Sequence, residues 1–194
     1  RAIAPPADIA AAVAHASPRL GPFGSLVHFF SSVGSTNDIA AALADAGARE
    51  GATVVAESQT AGRGRRGRVW HSPPGAGLYV SVVFRPEVVD AATPPAYGLT
   101  LMAGVALAEG VHASTGLAVE LKWPNDVVIG RRKLAGILAE ASSVGARPAV
   151  IVGFGVNVRA AAYPPDLARI ATSIETELGR AVDRGVVLAE ILAA

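Results

Sequence analysis

The 194-residue chain contains no cysteine. That excludes a disulfide framework, a thiolate nucleophile and a Cys-ligated metal. Histidine is scarce, at four residues; neither a His-rich metal site nor a Ser-His-Asp arrangement is present, and no metal ligand is assigned. Aromatic residues make up 5%, too few for the stacking platforms of a single-strand nucleic-acid binder. No signal peptide and no membrane span occur: the most apolar run, residues 96–108, is too short to cross a bilayer and ends at Glu109. A soluble cytoplasmic protein is the expectation. Neither a Gly-x-x-x-x-Gly-Lys-Ser/Thr loop nor a dinucleotide fingerprint appears. What is there is a globular composition, 51% hydrophobic and 17% charged, in a chain long enough for a substantial core.

Against a net charge of +1, Arg63, Arg65, Arg66 and Arg68 crowd into one stretch, with Gly62, Gly64 and Gly67 among them. Taking these four from the 17 basic residues leaves 13, against 16 acidic ones. The positive charge is therefore local, which suits a small anionic ligand better than a long polyanion needing a broad basic face. Glycine lets a backbone come close to a ligand, and guanidinium forks match carboxylate and phosphate. The stretch reads as an anion clamp, mobile while empty because its charges repel and ordered by an anion that bridges them.

Along the chain, a helix is expected over 8–16 and a strand over 26–30. Ser35 with Asp38 resembles a capping box opening a helix whose apolar positions are Ile39, Ala42, Leu43 and Ala46, stopped by Gly47. Strands follow over 53–56 and 78–84, the latter with Leu78, Val80, Val82 and Phe84 on one face. A helix opened by Pro94-Pro95 carries the stripe Leu99, Met102, Ala103, Ala106, Leu107 and Val111, with His112 beside it as a structural or surface residue. Further strands are expected over 117–121, 127–129, 134–141 and 149–158, with a turn at Gly130-Arg131-Arg132, then helices over 166–178 and from Asp183 to the end. Strands joined by short turns imply an α+β fold: a mixed, largely antiparallel sheet with helices packed on one face.

Three weaker constellations each admit two readings. Ser35-Thr36-Asn37 is either a helix cap or a set of donors and acceptors for a polar ligand. Lys122-Trp123-Pro124-Asn125-Asp126 is either a solvated hairpin turn or a bend that holds a lysine where charge develops on phosphorus. In Gly153-Phe154-Gly155-Val156-Asn157, two glycines in a β-branched strand mark either a bulge or close approach of another group to the backbone. Asn157 offers a paired donor and acceptor to a base or ribose edge.

Gly-Arg-Gly-Arg-Arg-Gly-Arg-x-Trp (62–70), Ser-Thr-Asn (35–37), Gln59, Lys-Trp-Pro-Asn-Asp (122–126), Lys-Leu-Ala-Gly-Ile-Leu (133–138) and Gly-x-Gly-x-Asn (153–157) resemble the biotin protein ligases in order and spacing, over about residues 26–178. The resemblance implies a class II aminoacyl-tRNA synthetase/biotin ligase-like fold and a two-step reaction. Biotin and MgATP give biotinyl-5′-AMP, which acylates one lysine of a biotin carboxyl carrier protein. By position it implies Ser35, Thr36, Asn37 and Gln59 as contacts to biotin's ring. Arg63, Gly64 and Arg65 match the segment folding over biotin and its carboxylate. Arg65, Arg66, Trp70 and Asn157 fall on the nucleotide side, and Lys122 at the carboxylate–phosphate junction. ATP and Mg2+ are the implied cofactors.

On the same footing, residues 1–25 are an N-terminal helical extension and residues 26–194 the catalytic domain. About 20 residues precede the first strand, too few for the DNA-binding winged helix-turn-helix of many relatives, so no DNA partner or repressor role is expected. The family's C-terminal SH3-like barrel is expected to be missing or truncated. Two alternatives stand beside this assignment: a lipoate–protein ligase-like acyl adenylate transferase, and a nucleic-acid-binding module using the arginine loop. The intact arginine loop argues for biotin, and the net acidic remainder argues against nucleic acid.

Overall fold

The computed structural model describes residues 1–24, 26–86, 95–142, 148–160 and 163–194. Its framework is a seven-stranded sheet in the order β1-β2-β3-β7-β6-β5-β4. The strands are β1 (Val27–Phe30), β2 (Thr53–Ala56), β3 (Gly77–Phe84), β4 (Glu120–Lys122), β5 (Asp126–Ile129), β6 (Arg132–Ser142) and β7 (Ala149–Asn157). Only the β1–β2 pairing is parallel, so the expected mixed, largely antiparallel α+β fold is what forms.

The helices α1 (Ala7–Leu20), α3 (Pro95–Thr115) and α6 (Arg184–Ala193) pack on one face of this sheet. Helix α2 (Thr36–Asp45), equal in length to α6, lies on the other, an exception to the one-face packing expected from sequence. Alternation along the central strands divides the faces. Leu78, Val80 and Val82 of β3 and Val150, Val152 and Val156 of β7 meet α1, α3 and α6, while Val83 and Ile151 meet α2. In α2 the innermost apolar residues are Ala40 and Ala44, with Ile39 and Leu43 only partly buried. The small side chains let the helix sit close to the sheet, which shifts its buried stripe from the one the sequence suggested.

Other boundaries also moved. The helix α1 runs past Pro18 because Leu20, with Ile9 and Ala16, completes the core. On α3, Leu107 and Val111 are buried and Leu99 and Ala103 partly so, whereas Met102 is 52% exposed and His112 lies at the surface. The strand expected over 117–121 forms later, as the exposed edge strand β4. The single helix expected over 166–178 is two, α4 (Pro165–Ala168) and α5 (Ile174–Leu178). Between them the backbone leaves the helical path to pair with Lys133: Lys133 N–H donates to Ile170 C=O (2.7 Å) and Thr172 N–H to Lys133 C=O (2.9 Å). Ser173 then recaps α5, accepting from Thr176 N–H.

Candidate active site

The α2-side face of the sheet carries Ser81 on β3, Gly153, Gly155 and Asn157 on β7, and Gly136, Leu138 and Glu140 on β6. Gly155 lies directly opposite both Tyr79 and Gly136, and Gly153 opposite both Ser81 and Leu138. The ladders run through Gly153–Gly155 without a register break, so these glycines are not a bulge. They are where other groups press on the backbone. A Cβ on Gly153 would collide with the Asn37 amide, one on Gly155 with the Trp70 indole, and one on Gly136 would stand 3.1 Å from the same ring. The sheet thus offers a floor without side chains, with Trp70 resting on it.

The start of α2 borders this floor. Ser35 occupies the N-cap position in extended conformation, yet its hydroxyl makes no capping bond, unlike Ser173 and Asp183 at the starts of α5 and α6. Asp38 does not close a capping box either, since its carboxylate binds Arg63 at 2.7 and 2.9 Å. Ser35, Thr36 and Asn37 are each at most 5% exposed. Thr36 donates through N–H (2.9 Å) and hydroxyl (3.1 Å) to Gln59 Oε1, and Gln59 Nε2 donates to Ser72 (2.9 Å). Ser81 Oγ lies 2.8 Å from the Thr36 hydroxyl and 2.6 Å from Asn37 Oδ1, while Asn37 Nδ2 donates to Glu140 (2.5 Å). Glu140 also accepts from Arg63 at 3.1 Å. One polar network therefore ties α2, the sheet and the arginine stretch together.

That stretch is a small hairpin. Arg63 bridges Val69, Gly64 N–H donates to Arg68 C=O (2.7 Å), and Trp70 N–H donates to Gly62 C=O (2.9 Å). At its tip Arg66 adopts φ 59°, a left-handed conformation uncommon for a side-chain-bearing residue. Gly62 cannot be larger, because a Cβ would meet Trp70 C=O at 2.5 Å. Arg63, expected to clamp an anion, already has its guanidinium held by Asp38 and Glu140. Arg65, Arg66 and Arg68 make no ion pair with any described residue.

A fourth feature is a β-bulge. Val127 pairs with Ala135 but Val128 pairs with Lys133, which leaves Leu134 extra. Strict alternation would put Lys133 on the core face with Ala135 and Ile137. The extra residue turns its side chain into the cleft instead. There the ammonium stands 5.3 Å from the Trp70 ring centroid and 2.6 Å from Asp126. The sequence reading quoted 133–138 as a family motif but gave Lys133 no role; the available signal was a lysine at a position of core parity. Asn157 donates its amide to Thr172 C=O (2.9 Å) and Lys133 C=O (3.4 Å), holding the 170–172 segment against the base of that lysine.

These parts enclose a cleft of about 380 Å³. Of the residues singled out from sequence, Ser35, Thr36, Asn37, Gln59, Arg63, Gly64, Arg65, Trp70, Lys122 and Asn157 line it, and Arg66 does not. Among the described residues, six Lys and Arg side chains and one carboxylate, Asp126, line it. Trp70 Nε1 and the Tyr163 hydroxyl are buried without a hydrogen-bond partner among the described residues, and both residues line the cleft. Burial pushes the phenols of Tyr79 and Tyr163 above their ordinary value of 10.0, so neither serves as an ionised base near neutrality.

A profile of the Biotin/lipoate A/B protein ligase family matches residues 29–157. The chain belongs to this family. It is 42% identical over 163 residues to the bifunctional ligase/repressor BirA of Bacillus spizizenii, covering 82% of this chain and 49% of that protein. It is 40% identical over 171 residues to the biotin–[acetyl-CoA-carboxylase] ligase of Mycobacterium tuberculosis, covering 84% and 59%. The chain spans about half the length of the ligase/repressors it matches. The biotin protein ligase from Aquifex aeolicus in complex with biotin and ATP superposes with a TM-score of 0.74 at 33% identity, over 87% of this chain and 67% of that one. The Leishmania major enzyme in complex with biotinyl-5-AMP gives 0.69 at 31%, over 86% and 72%. Five sequence motifs of this member of the biotin/lipoate ligases thus converge on one cleft; Asp126 and Lys133 within them, and Arg131 and Tyr163 outside them, line it without having been given a role from sequence.

Proposed function

We propose that this chain activates biotin with ATP and transfers the biotinyl group to a lysine of a biotin carboxyl carrier protein. The observation that carries the proposal is the juxtaposition, in one cleft, of an uncharged hydrogen-bonding corner (Ser35, Thr36, Gln59) with a cationic wall containing Lys133, across a glycine floor. A neutral polar ring system fits the first and a carboxylate facing a triphosphate fits the second. In the first step a biotin carboxylate oxygen attacks the α-phosphorus and pyrophosphate leaves. In the second, a lysine amine of the acceptor attacks the acyl carbon of the mixed anhydride and AMP leaves.

In this proposal Ser35, Thr36 and Gln59 orient the ring, and Asn37 and Arg63 hold that corner in shape through Glu140 and Ser81. Lys133 neutralises the facing carboxylate and α-phosphate, a job of positioned charge rather than proton transfer. Lys122, on the exposed edge strand, and Arg65 also line the cleft, and Trp70 and Asn157 border the nucleotide side. Asp126, now paired with Lys133, is the cleft carboxylate that would hold a Mg2+ arriving with the nucleotide, since that ion needs only one or two carboxylates from the protein. When bound it supplies further charge neutralisation to the phosphates. Cations gathered into a cleft do not favour the nucleic-acid alternative. No helix among the described residues is long and apolar enough to cross a membrane, in keeping with a proposed cytoplasmic site of action.

Titration calorimetry tests the assignment. Biotin is expected to bind at micromolar affinity or tighter, about −8 kcal/mol or better, with no heat from lipoate or a single-stranded oligonucleotide. Labelled biotin should pass to an acceptor domain only with ATP. Binding of lipoate instead, or of the oligonucleotide alone, would overturn it.

A further inference from the structure

The turn between β5 and β6 carries two adjacent arginines that the structure uses differently. Gly130 (φ 58°) and Arg131 form a two-residue turn, closed by the pairing of Ile129 with Arg132. Arg132 turns to α5, where its guanidinium lies 2.8 Å from Glu177 Oε1, an oxygen that also accepts from the Thr172 hydroxyl. Arg131 is exposed, lines the cleft, and makes no ion pair with any described residue. Arg65 and Arg68 reach the same cleft from the distant 62–70 hairpin, likewise unpaired.

Three unpaired guanidinium groups brought to one opening from two separate segments repel one another, and only a ligand with several negative charges offsets that repulsion. Depth within the cleft distinguishes their partners. Lys133 is two-thirds buried, with 32% of its side chain exposed, and stands against Trp70 on the floor; Arg131 stands at the exposed turn. We propose that Arg131 binds the β- and γ-phosphates of ATP, the part that departs as pyrophosphate, while Lys133 serves the α-phosphate further in. The inference rests on the adenylation reading above and adds to it a phosphate-binding residue. Arg131 would raise affinity for the polyphosphate tail without acting on the reacting atoms.

The test compares Arg131→Ala, Arg131→Lys and Arg132→Ala with the wild-type chain. The readouts are KM for ATP, inhibition by added inorganic pyrophosphate, biotin affinity by calorimetry, and thermal unfolding. Arg131→Ala should raise KM for ATP and the pyrophosphate inhibition constant roughly tenfold, the scale of one charge-assisted contact in a partly solvated site. Its biotin affinity should stay within about twofold, and Arg131→Lys should recover part of the loss because charge returns without the fork. Arg132→Ala should instead lower Tm by a few degrees and leave KM for ATP unchanged. Unchanged ATP and pyrophosphate constants in Arg131→Ala, or an equal loss of biotin affinity, would overturn the inference while leaving adenylation intact. A wild-type chain that neither binds biotin nor releases pyrophosphate from ATP would overturn both.

Discussion

Lys133 lies in a run whose neighbours of the same parity, Ala135 and Ile137, are buried in the core. The bulge at Leu134 spares its ammonium that burial, which would cost several kcal/mol for an unpaired charge. Lys122, which the family resemblance places at the carboxylate–phosphate junction, lines the cleft from a strand exposed along its whole length. The two are separable by experiment. Lys133→Ala is expected to slow pyrophosphate release from biotin and ATP by about 10²–10³, the usual cost of one aimed donor in a dry site. Lys122→Ala should cost less than roughly tenfold, since a solvated rim charge is worth little. Equal losses would return Lys122 to the reacting centre. The same distinction applies to Arg63: spacing marks it as cationic, but only the fold reveals that Asp38 and Glu140 have already claimed its fork.

At the scale of elements, two glycines illustrate opposite uses of close approach. Gly110 on α3 lets α6 come so near that a Cβ would stand 2.5 Å from the backbone N and Cα of Ile191, whereas Gly155 on β7 admits the Trp70 indole. Gly110→Ala is therefore expected to destabilise by about 1–3 kcal/mol, read as a lower Tm, with biotin affinity of the folded protein unchanged. Gly155→Ala should do the reverse: a small change in Tm but weakened ligand binding by calorimetry, because the indole is displaced from the cleft floor. A drop in Tm for both with equal affinities would mean that the Gly155 contact is only packing. The alternation of β3 was legible because Leu78, Val80, Val82 and Phe84 recur at every second position. The break of 166–178 into two helices was not, because it depends on backbone bonds to Lys133 from a distant segment.

At the scale of the molecule, α1 is not an appendage to the sheet but one side of a seam with α6. Ile9 and Leu20 are buried there, and two ion pairs flank them: Arg19 with Glu190 (2.5 Å), and Asp8 with Arg184 (2.9 Å). Arg184 is 7% exposed and also binds Glu57 at 2.8 Å, which links the seam to the strand end that leads into Gln59. Burial pulls Asp8 upward, but the hydrogen bond and charge of Arg184 together with backbone N–H donors at the start of α1 outweigh it, and the carboxyl titrates below its ordinary 3.8. The hydrogen bond from Arg19 likewise holds Glu190 below 4.5. A carboxyl depressed in the folded state binds fewer protons than in the unfolded chain. Its contribution is thus complete above the unfolded value and is lost as pH falls through the folded one. Tm should be flat above about pH 5 and fall below about pH 4. Asp8→Asn combined with Glu190→Gln should lower the plateau and flatten the acid limb; an acid limb as steep as wild type would show that other groups govern it.

The order of apolar and polar residues determined by itself that this chain forms a mixed sheet with amphipathic helices, because periodicities of two and 3.6 residues are local properties of the backbone. Composition likewise localised the positive charge in one arginine-rich stretch. Only the tertiary structure decided which cations face the cleft and which are already neutralised, that Ser35 leaves its helix uncapped, and that a single extra residue turns Lys133 inward. Those outcomes depend on partners far away in the chain, and a pairing between distant segments leaves no trace in the pattern of either one.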